Sequence, residues 1–198
     1  MNFQNLTLER ITRDARNVNF GPNDSYLLSY PEFISYFRNT DPIEEHHFII
    51  SSHFVYGWMP KILKLDRNKI KEAVSILNKA RKADLLDKDE IEHLKSCVNN
   101  SLVGVSKLLH FIRPEAYPIW DSNTFTYATG QKPHHYRMEK TDSYLAYRER
   151  LFEITEMSGF SEVQSVVEGK FTPMYKYTMT RLRVIELVMF SSRNKENQ

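Results

Sequence analysis

The chain has 198 residues, of which 41% are hydrophobic and 26% are charged. A chain of this length and composition buries a sizeable core, which excludes an intrinsically disordered protein and fits one domain or two small lobes. The formal net charge of +2 excludes a histone-like polycation, and six glycines with eight prolines argue against a turn-rich β-sandwich. Aromatic residues reach 13%, which is more than a minimal helical core needs.

Hydrophobic spacing predicts helices along most of the chain. Residues 46–56 fit either a buried helix or a strand, and the tail 192–198 is expected to be flexible. The sum predicts an all-α protein, with 1–191 forming a single helical domain in one or two lobes. The predicted helices cover 24–38, 66–82 with Asp66 as cap, a stretch through Ile91 and Val98 after a capping box at 87–90, 102–112 ended by Pro114, 144–154, 161–169 after a capping box at 161–164, and 173–190 with Pro173 in its first turn.

Several sites and compartments are excluded by the residue types present. Cys97 is the only cysteine, so an internal disulfide, a cysteine-based zinc site and an iron–sulfur cluster are excluded. The pairs His46-His47 and His134-His135 lack the spacing of a zinc site, and we expect neither a metal nor a cofactor. Residues 1–17 have no apolar core of a signal peptide, and no apolar run is long enough to span a membrane. We therefore expect a cytoplasmic monomer.

The charge is unevenly distributed along the chain. Residues 61–82 hold eight Lys or Arg against two acids, and residues 170–195 hold six against one. Five acids and one lysine at 84–92 balance them. The basic segments are either solvated helix surfaces or faces that meet phosphates.

The most informative stretch is 99–125. Gly104 lies near the start of an apolar helix, where a small residue allows close approach of a ligand and free backbone N–H groups bind phosphate. Lys107 follows, and His110 shares its face of the helix. Lys107 is therefore either a phosphate contact or an ordinary solvated lysine.

A proline-framed connection follows this helix. Pro114 and Pro118 enclose it, and it ends in Trp120 and Asp121. Asp121 is either a functional carboxylate or the N-cap of the next helix. Trp120 either packs in the core or contacts a ligand.

This order of residues resembles the helix-hairpin-helix DNA glycosylase superfamily, in which a glycine-rich hairpin grips the DNA backbone and a catalytic aspartate follows one helix later. Residues 103–107 correspond to the hairpin, with Ser106 where the family has a second glycine, and 118–121 correspond to the aspartate segment. The blocks 56–60 and 106–122 are also similar to a bacterial or phage-defence family. The resemblance implies a two-lobed helical array with a hairpin-like turn near 103–107 and a cleft between the lobes.

The resemblance also implies a function. The enzyme would hydrolyse the N-glycosidic bond of a damaged or modified base flipped out of double-stranded DNA, with Asp121 stabilising the sugar cation or orienting water. Lys107 is the second catalytic candidate, and we favour a phosphate contact in a monofunctional enzyme over a Schiff-base nucleophile. The candidates for contacts with the base and the DNA backbone are Gly104, Ser106, His110, Asn99, Asn100, Trp120, Tyr56, Trp58, Tyr136 and Arg137.

The alternative is a non-enzymatic helical module that binds nucleic acid or another protein, such as a regulator or a phage-defence component. The carboxylate of Asp121 discriminates between the two hypotheses. In the enzyme it faces an open cleft lined by aromatic and basic side chains. In the alternative it turns back onto the N–H groups near Thr124.

Overall fold

The structure is a computed structural model that describes residues 3–59, 61–82 and 84–192. These residues form eleven α-helices and one 3₁₀ helix and no strand, which confirms the predicted all-α class. The helices are α1 (Leu8–Ala15), α2 (Ser25–Arg38), α3 (Glu45–Trp58), η1 (Arg67–Lys69), α4 (Ile70–Ala80), α5 (Lys88–Cys97), α6 (Leu102–Ile112), α7 (Ser122–Thr129), α8 (His135–Met138), α9 (Thr141–Thr155), α10 (Phe160–Phe171) and α11 (Arg181–Ser192).

Most of the predicted helices are confirmed, and side-chain caps mark several of their starts. Asp87 caps α5 in a capping box with Glu90, as the sequence predicts. Asp66 caps η1, which continues into α4. The ambiguous residues 46–56 lie in α3 and are helical. Helical spacing with a polar cap was therefore a sufficient signal for these elements.

Two details of the predicted C-terminal helices are wrong. The capping box at 161–164 does not form, because α10 begins earlier and its N-cap is Gly159. The last helix begins at Arg181 rather than at Pro173, and in the intervening segment the buried Tyr175 packs against Phe171 at 5.1 Å between ring centroids. Of the tail 192–198, Ser192 ends α11 and 193–198 lie outside the described residues.

The hairpin-like turn predicted near 103–107 is also wrong. These residues lie inside the first turns of α6, whose N-cap is Ser101. The turn between α5 and α6 comes earlier, at 98–101, where Asn99 and Asn100 adopt positive φ angles of 54° and 50°. Asparagine tolerates this left-handed conformation better than most residues, so the turn forms without glycine.

Gly104 is needed for helix packing and not for the approach of a ligand. A Cβ at this position would lie 2.8 Å from the hydroxyl oxygen of Tyr56, so α3 occupies the space. The start of α6 is occupied as well. The side chain of Ser101 accepts from the N–H of Gly104 at 3.2 Å, and Glu139 accepts from the N–H of Leu102 at 2.6 Å. The N–H groups of Gly104 and Leu102 are therefore engaged within the protein.

The helices pack as two groups that share one hydrophobic core. Helices α2 to α6 form the first group, in which α6 contacts all four others. The second group contains α1, α7, α9, α10 and α11, with α11 in contact with the other four. The two central helices, α6 and α11, supply the polar side chains that lie where the groups meet.

None of the helices that the structure describes combines the length and the apolar character needed to cross a membrane.

We expect Gly104→Ala to destabilise the protein by about 1–3 kcal/mol, because the added methyl group overpacks the contact with Tyr56. The matched control is Gly169→Ala in α10, where a Cβ meets nothing within 4 Å. This control should gain about 0.5–1 kcal/mol from the higher helix propensity of alanine. Urea unfolding of both variants measures the difference, and equal effects would contradict the packing role of Gly104.

Candidate functional site

The 113–121 connection between α6 and α7 is irregular and largely buried, so its backbone polar groups need partners inside the protein. Glu186 of α11 accepts from the N–H of Ile119 at 2.6 Å. His110 of α6 donates from Nδ1 to the carbonyl of Tyr117 at 2.9 Å. Side chains from both groups of helices therefore fix the course of this connection.

Hydrogen bonds of Ser106 and Trp120 also hold the 113–121 connection in place. The hydroxyl of Ser106 accepts from the N–H of Trp120 at 3.0 Å and lies 3.2 Å from its carbonyl oxygen. The indole of Trp120 is fully buried and donates to the carbonyl of Met138 at 2.8 Å. The predicted DNA contacts through Ser106 and Trp120 are wrong, since both side chains are enclosed in the protein.

Asp121 ends this connection and performs two tasks at once. Its Oδ1 accepts from the N–H groups of Asn123 and Thr124 at 2.9 and 3.1 Å, which caps α7. Its Oδ2 lies 3.6 Å from Nζ of Lys107, and the residue belongs to the lining of a cavity. The two sequence hypotheses for this residue are therefore not exclusive, because Asp121 both caps α7 and lines the cavity.

Lys107 extends from α6 into the same cavity, and its side chain is only 11% exposed. Burial lowers the pKa of its ammonium group, while the charge of Asp121 favours the protonated form. Nζ also lies 5.9 Å from the ring centroid of Trp58, within the range of a cation–π contact. The side chain is thus directed into the protein, which contradicts the expected phosphate contact.

The cavity has a volume of about 250 Å³ and lies where the two groups of helices meet. Tyr26 and Phe190 form its mouth and are 42% and 39% exposed. The ring of Trp58 lies 5.4 Å from that of Tyr26 and is held by a hydrogen bond from Nε1 to Ser29. The lining residues are Tyr26, Leu27, Trp58, Lys107, Ile119, Asp121, Asn123, Thr124, Arg183, Glu186, Leu187 and Phe190.

The floor of the cavity is formed by two buried charged residues of α11. Arg183 NH1 lies 3.4 Å from Oε2 of Glu186, and the guanidinium carbon lies 4.1 Å from the ring centroid of Tyr30. Burial raises the pKa of Glu186 to about 7, although Arg183 and the N–H of Ile119 favour the carboxylate. Glu186 is therefore poised to gain or lose a proton near neutral pH.

His110 lies beneath this floor rather than on a DNA-binding face, so its predicted contact with DNA is wrong. Burial, with the charge of Arg183, lowers the pKa of His110 to about 3, so the ring is neutral at pH 7. Since Nδ1 donates to a carbonyl, Nε2 is the acceptor and receives the hydrogen bond of the Tyr30 hydroxyl at 2.9 Å. The histidine joins α2 to the 113–121 connection.

Three further residues predicted to contact DNA, Tyr56, Asn99 and Asn100, lie at or against the turn between α5 and α6. Tyr56 is 2% exposed, and its hydroxyl lies 3.4 Å from the carbonyl of Val98. Asn99 accepts from the N–H of Lys64 and donates to the carbonyl of Ile62 at 2.9 Å, so its amide is not free to read a base. Asn100 is exposed at the tip of the turn and is not part of the cavity lining.

Tyr136 and Arg137 lie on α8 and are not part of the cavity lining either. Tyr136 is 69% exposed, with Nζ of Lys140 4.4 Å from its ring centroid. Arg137 donates to Gln131 at 2.6 Å and to the carbonyl of Lys132 at 3.0 Å. Of the residues predicted for the site, the cavity brings together Asp121, Lys107 and Trp58.

Sequence reasoning missed Arg183 and Glu186, as well as the aromatic mouth. The sequence of α11 carries a signal for the first two, because Arg183 and Glu186 interrupt a run of apolar residues that are all buried. A charged pair three residues apart on a helix with no polar face cannot be solvated and must be paired in the interior. Tyr26 and Phe190 carried no comparable signal.

One group of potential metal ligands occurs in the described part of the chain. The ligand atoms of Glu44, His46 and His47 lie within 4.8 Å of one another at the start of α3. Nδ1 of His47 accepts from the backbone N–H of Glu44 at 3.1 Å as part of a capping box. The arrangement is therefore explained by helix capping, and none of the three residues lines the cavity.

Comparison of the chain with protein families, with characterised proteins and with solved structures finds no match.

The raised pKa of Glu186 predicts a specific dependence of stability on pH. Between pH 4.5 and about 7 the folded protein holds a proton that the unfolded chain has lost, so this group makes the protein less stable as the pH rises. We expect Glu186→Gln to lower the free energy of unfolding overall. The variant should also lack the part of the fall in stability with rising pH that Glu186 causes. Urea unfolding at pH 5 and pH 7.5 measures it.

The matched control is Glu32→Gln on an exposed face of α2. This variant should keep the pH dependence of the wild type. If Glu186→Gln shows the same decline between the two pH values as Glu32→Gln, the pKa of Glu186 is not raised.

Proposed function

We propose that this protein is a DNA glycosylase-like enzyme that hydrolyses the N-glycosidic bond of a damaged or modified base flipped out of double-stranded DNA. The observation that carries the proposal is the position of Asp121. One oxygen of its carboxylate is fixed by two backbone N–H groups, the other lies 3.6 Å from Nζ of Lys107, and both residues line the cavity. A carboxylate held in this way is oriented before a substrate binds.

The chemistry needs a negative charge close to the sugar. Breaking the bond between C1′ and the base leaves positive charge on the deoxyribose ring. The Oδ2 atom of Asp121 can stabilise that charge directly or orient the attacking water. Lys107 lies 3.6 Å from Oδ2 of Asp121 and is its counter-ion in a site that is mostly apolar.

The walls of the cavity suit a flat heterocyclic ring. Its volume of about 250 Å³ is below the range of about 300–1,000 Å³ typical of pockets for drug-sized ligands. Tyr26, Trp58 and Phe190 offer aromatic faces or edges at its entrance. Stacking of a base on an aromatic side chain contributes about 1–3 kcal/mol and helps to offset the cost of unstacking.

A basic surface adjoins the cavity and supports DNA as the partner. Lys61 follows the end of α3 closely, and its positive charge contributes to lowering the pKa of Lys107. Lys64, Arg67 and Lys71 are exposed further along the same segment. Such a surface can bind the phosphate backbone while the aromatic mouth receives the flipped base. We propose the cytoplasm as the compartment of this activity.

Asp121→Asn should abolish base release while binding to DNA survives. Asparagine keeps the cap of α7 but lacks the negative charge that the sugar cation needs, so we expect a loss of about 100-fold or more. The assay uses duplex oligonucleotides that each carry one uracil, hypoxanthine, 8-oxoguanine or N7-methylguanine, followed by alkali cleavage at abasic sites. Gel-shift titration measures binding.

Asp142→Asn is the matched control, since Asp142 pairs with Lys88 on the surface. It should release bases at the wild-type rate. Full activity of Asp121→Asn would refute the role of Asp121. Binding to DNA without base release by the wild type would favour the non-enzymatic nucleic-acid-binding module.

Lys107 is expected to act as the counter-ion of Asp121 in a monofunctional enzyme. Lys107→Gln should reduce the rate of base release without abolishing it, because Asp121 and its two backbone hydrogen bonds remain. Borohydride treatment during turnover should trap no covalent complex with the wild type. A trapped complex that Lys107→Gln fails to form would instead make the lysine a nucleophile.

A further inference from the structure

The cavity contains a second carboxyl group besides Asp121. Glu186 lines the same cavity from α11 and is 3% exposed. Asp121 is 20% exposed at its side chain and lies nearer to solvent. Two carboxyl groups therefore meet one small space at different depths.

The two groups differ in their surroundings. Asp121 faces the ammonium group of Lys107 and two backbone N–H donors. In Glu186, Oε1 is used by the N–H of Ile119, while Oε2 has a contact of 3.4 Å with Arg183. That distance is long for a charge-assisted hydrogen bond, so Oε2 keeps capacity for a ligand.

Paired carboxyl groups with unequal environments take the roles of acid and base in several classes of enzyme. We propose that Glu186 is a further catalytic residue, which donates a proton from Oε2 to the departing base. This assignment rests on the proposed function, because it requires a base in the cavity. Asp121 remains the anion that faces the sugar.

The step balances as a hydrolysis. The bond between C1′ and the base nitrogen breaks, and its electron pair stays on the base. The proton of Glu186 moves to the base, which leaves as a neutral molecule. Water adds to C1′ as hydroxide, and the proton it releases restores Glu186 directly or through Asp121.

The proposal distinguishes two classes of substrate. A neutral base leaves poorly as an anion and gains from protonation. An N7-alkylated purine already carries a positive charge and leaves as a neutral molecule without a proton. Glu186 would therefore accelerate the release of neutral bases and contribute little to the release of cationic ones.

Several other titratable groups surround Glu186, and their protonation states bear on the pH dependence of the rate. The neighbouring titratable groups are Arg183 on α11, Lys107 and His110 on α6, Asp121 before α7, Tyr30 on α2, and Tyr144 and Tyr147 on α9. Burial raises the pKa of the tyrosines and lowers that of His110, so these four stay neutral near pH 7. Titration of Lys107 would affect both classes of substrate alike.

The test compares one neutral and one cationic base at the same position of one duplex. Single-turnover rates of release are measured for hypoxanthine and N7-methylguanine with the wild type, Glu186→Gln and Asp121→Asn. General acid catalysis contributes about 10²–10⁴-fold, so Glu186→Gln should lose about 100-fold or more with hypoxanthine and a much smaller factor with N7-methylguanine. Asp121→Asn should lose both activities.

A second measurement uses the wild type alone and does not depend on the folding of a variant. The rate with hypoxanthine should fall as the pH rises above about 7, where Glu186 loses its proton, while the rate with N7-methylguanine should not follow this fall. If another neutral base in the oligonucleotide panel is released faster, it replaces hypoxanthine in both measurements. Melting temperature and affinity for a duplex with a tetrahydrofuran abasic analogue show whether Glu186→Gln keeps its structure.

Each of the other outcomes would contradict the role of Glu186 or the proposed function. Equal losses with both bases would show that Glu186 only holds the site together. Release of N7-methylguanine alone by the wild type, or a rate with the neutral base that does not change with pH, would show that no acid is used. Release of no base at all by the wild type would overturn the proposed function and this assignment with it.

Discussion

The hydrogen bond from the N–H of Ile119 to the buried carboxyl group of Glu186 is the interaction on which the site depends. It joins the connection between α6 and α7 to α11, at the place where the two groups of helices meet. A buried charge of this kind is costly unless it is paired and hydrogen-bonded, and Arg183 and the backbone of Ile119 provide those partners. Removing one member leaves the others buried without compensation, so the cluster behaves as a unit.

The residues around this bond form a scaffold that orients Asp121. His110 holds Tyr117, and Ser106 holds the backbone of Trp120, so the chain reaches Asp121 along a fixed course. The sequence predicts DNA contacts for Ser106, from its place in the segment that resembles the hairpin, and for His110, from the helix face that it shares with Lys107. In the folded protein they face inward, and they fix the position of one carboxylate.

The cavity combines a polar floor with an aromatic entrance. Asp121 and Glu186 differ in depth and in partners: Asp121 is paired with Lys107, while burial raises the pKa of Glu186 to about 7. Tyr26 and Phe190 belong to α2 and α11, which places one aromatic ring from each group of helices at the mouth. Relative movement of the two groups would change the opening and both carboxyl positions together.

Much of the local structure could be predicted from the residue pattern alone. Helical spacing and polar caps predicted α5, α6 and the all-α class, and the order of Lys107, two prolines and Asp121 located part of the site. Which polar groups are buried together could be seen only from how the helices pack. Glu186 lies 67 residues from Ile119, and the turn expected at 103–107 lies at 98–101, while α3 packs against Gly104. Periodicity reports which face of a helix is apolar, but partners distant in sequence are set by packing.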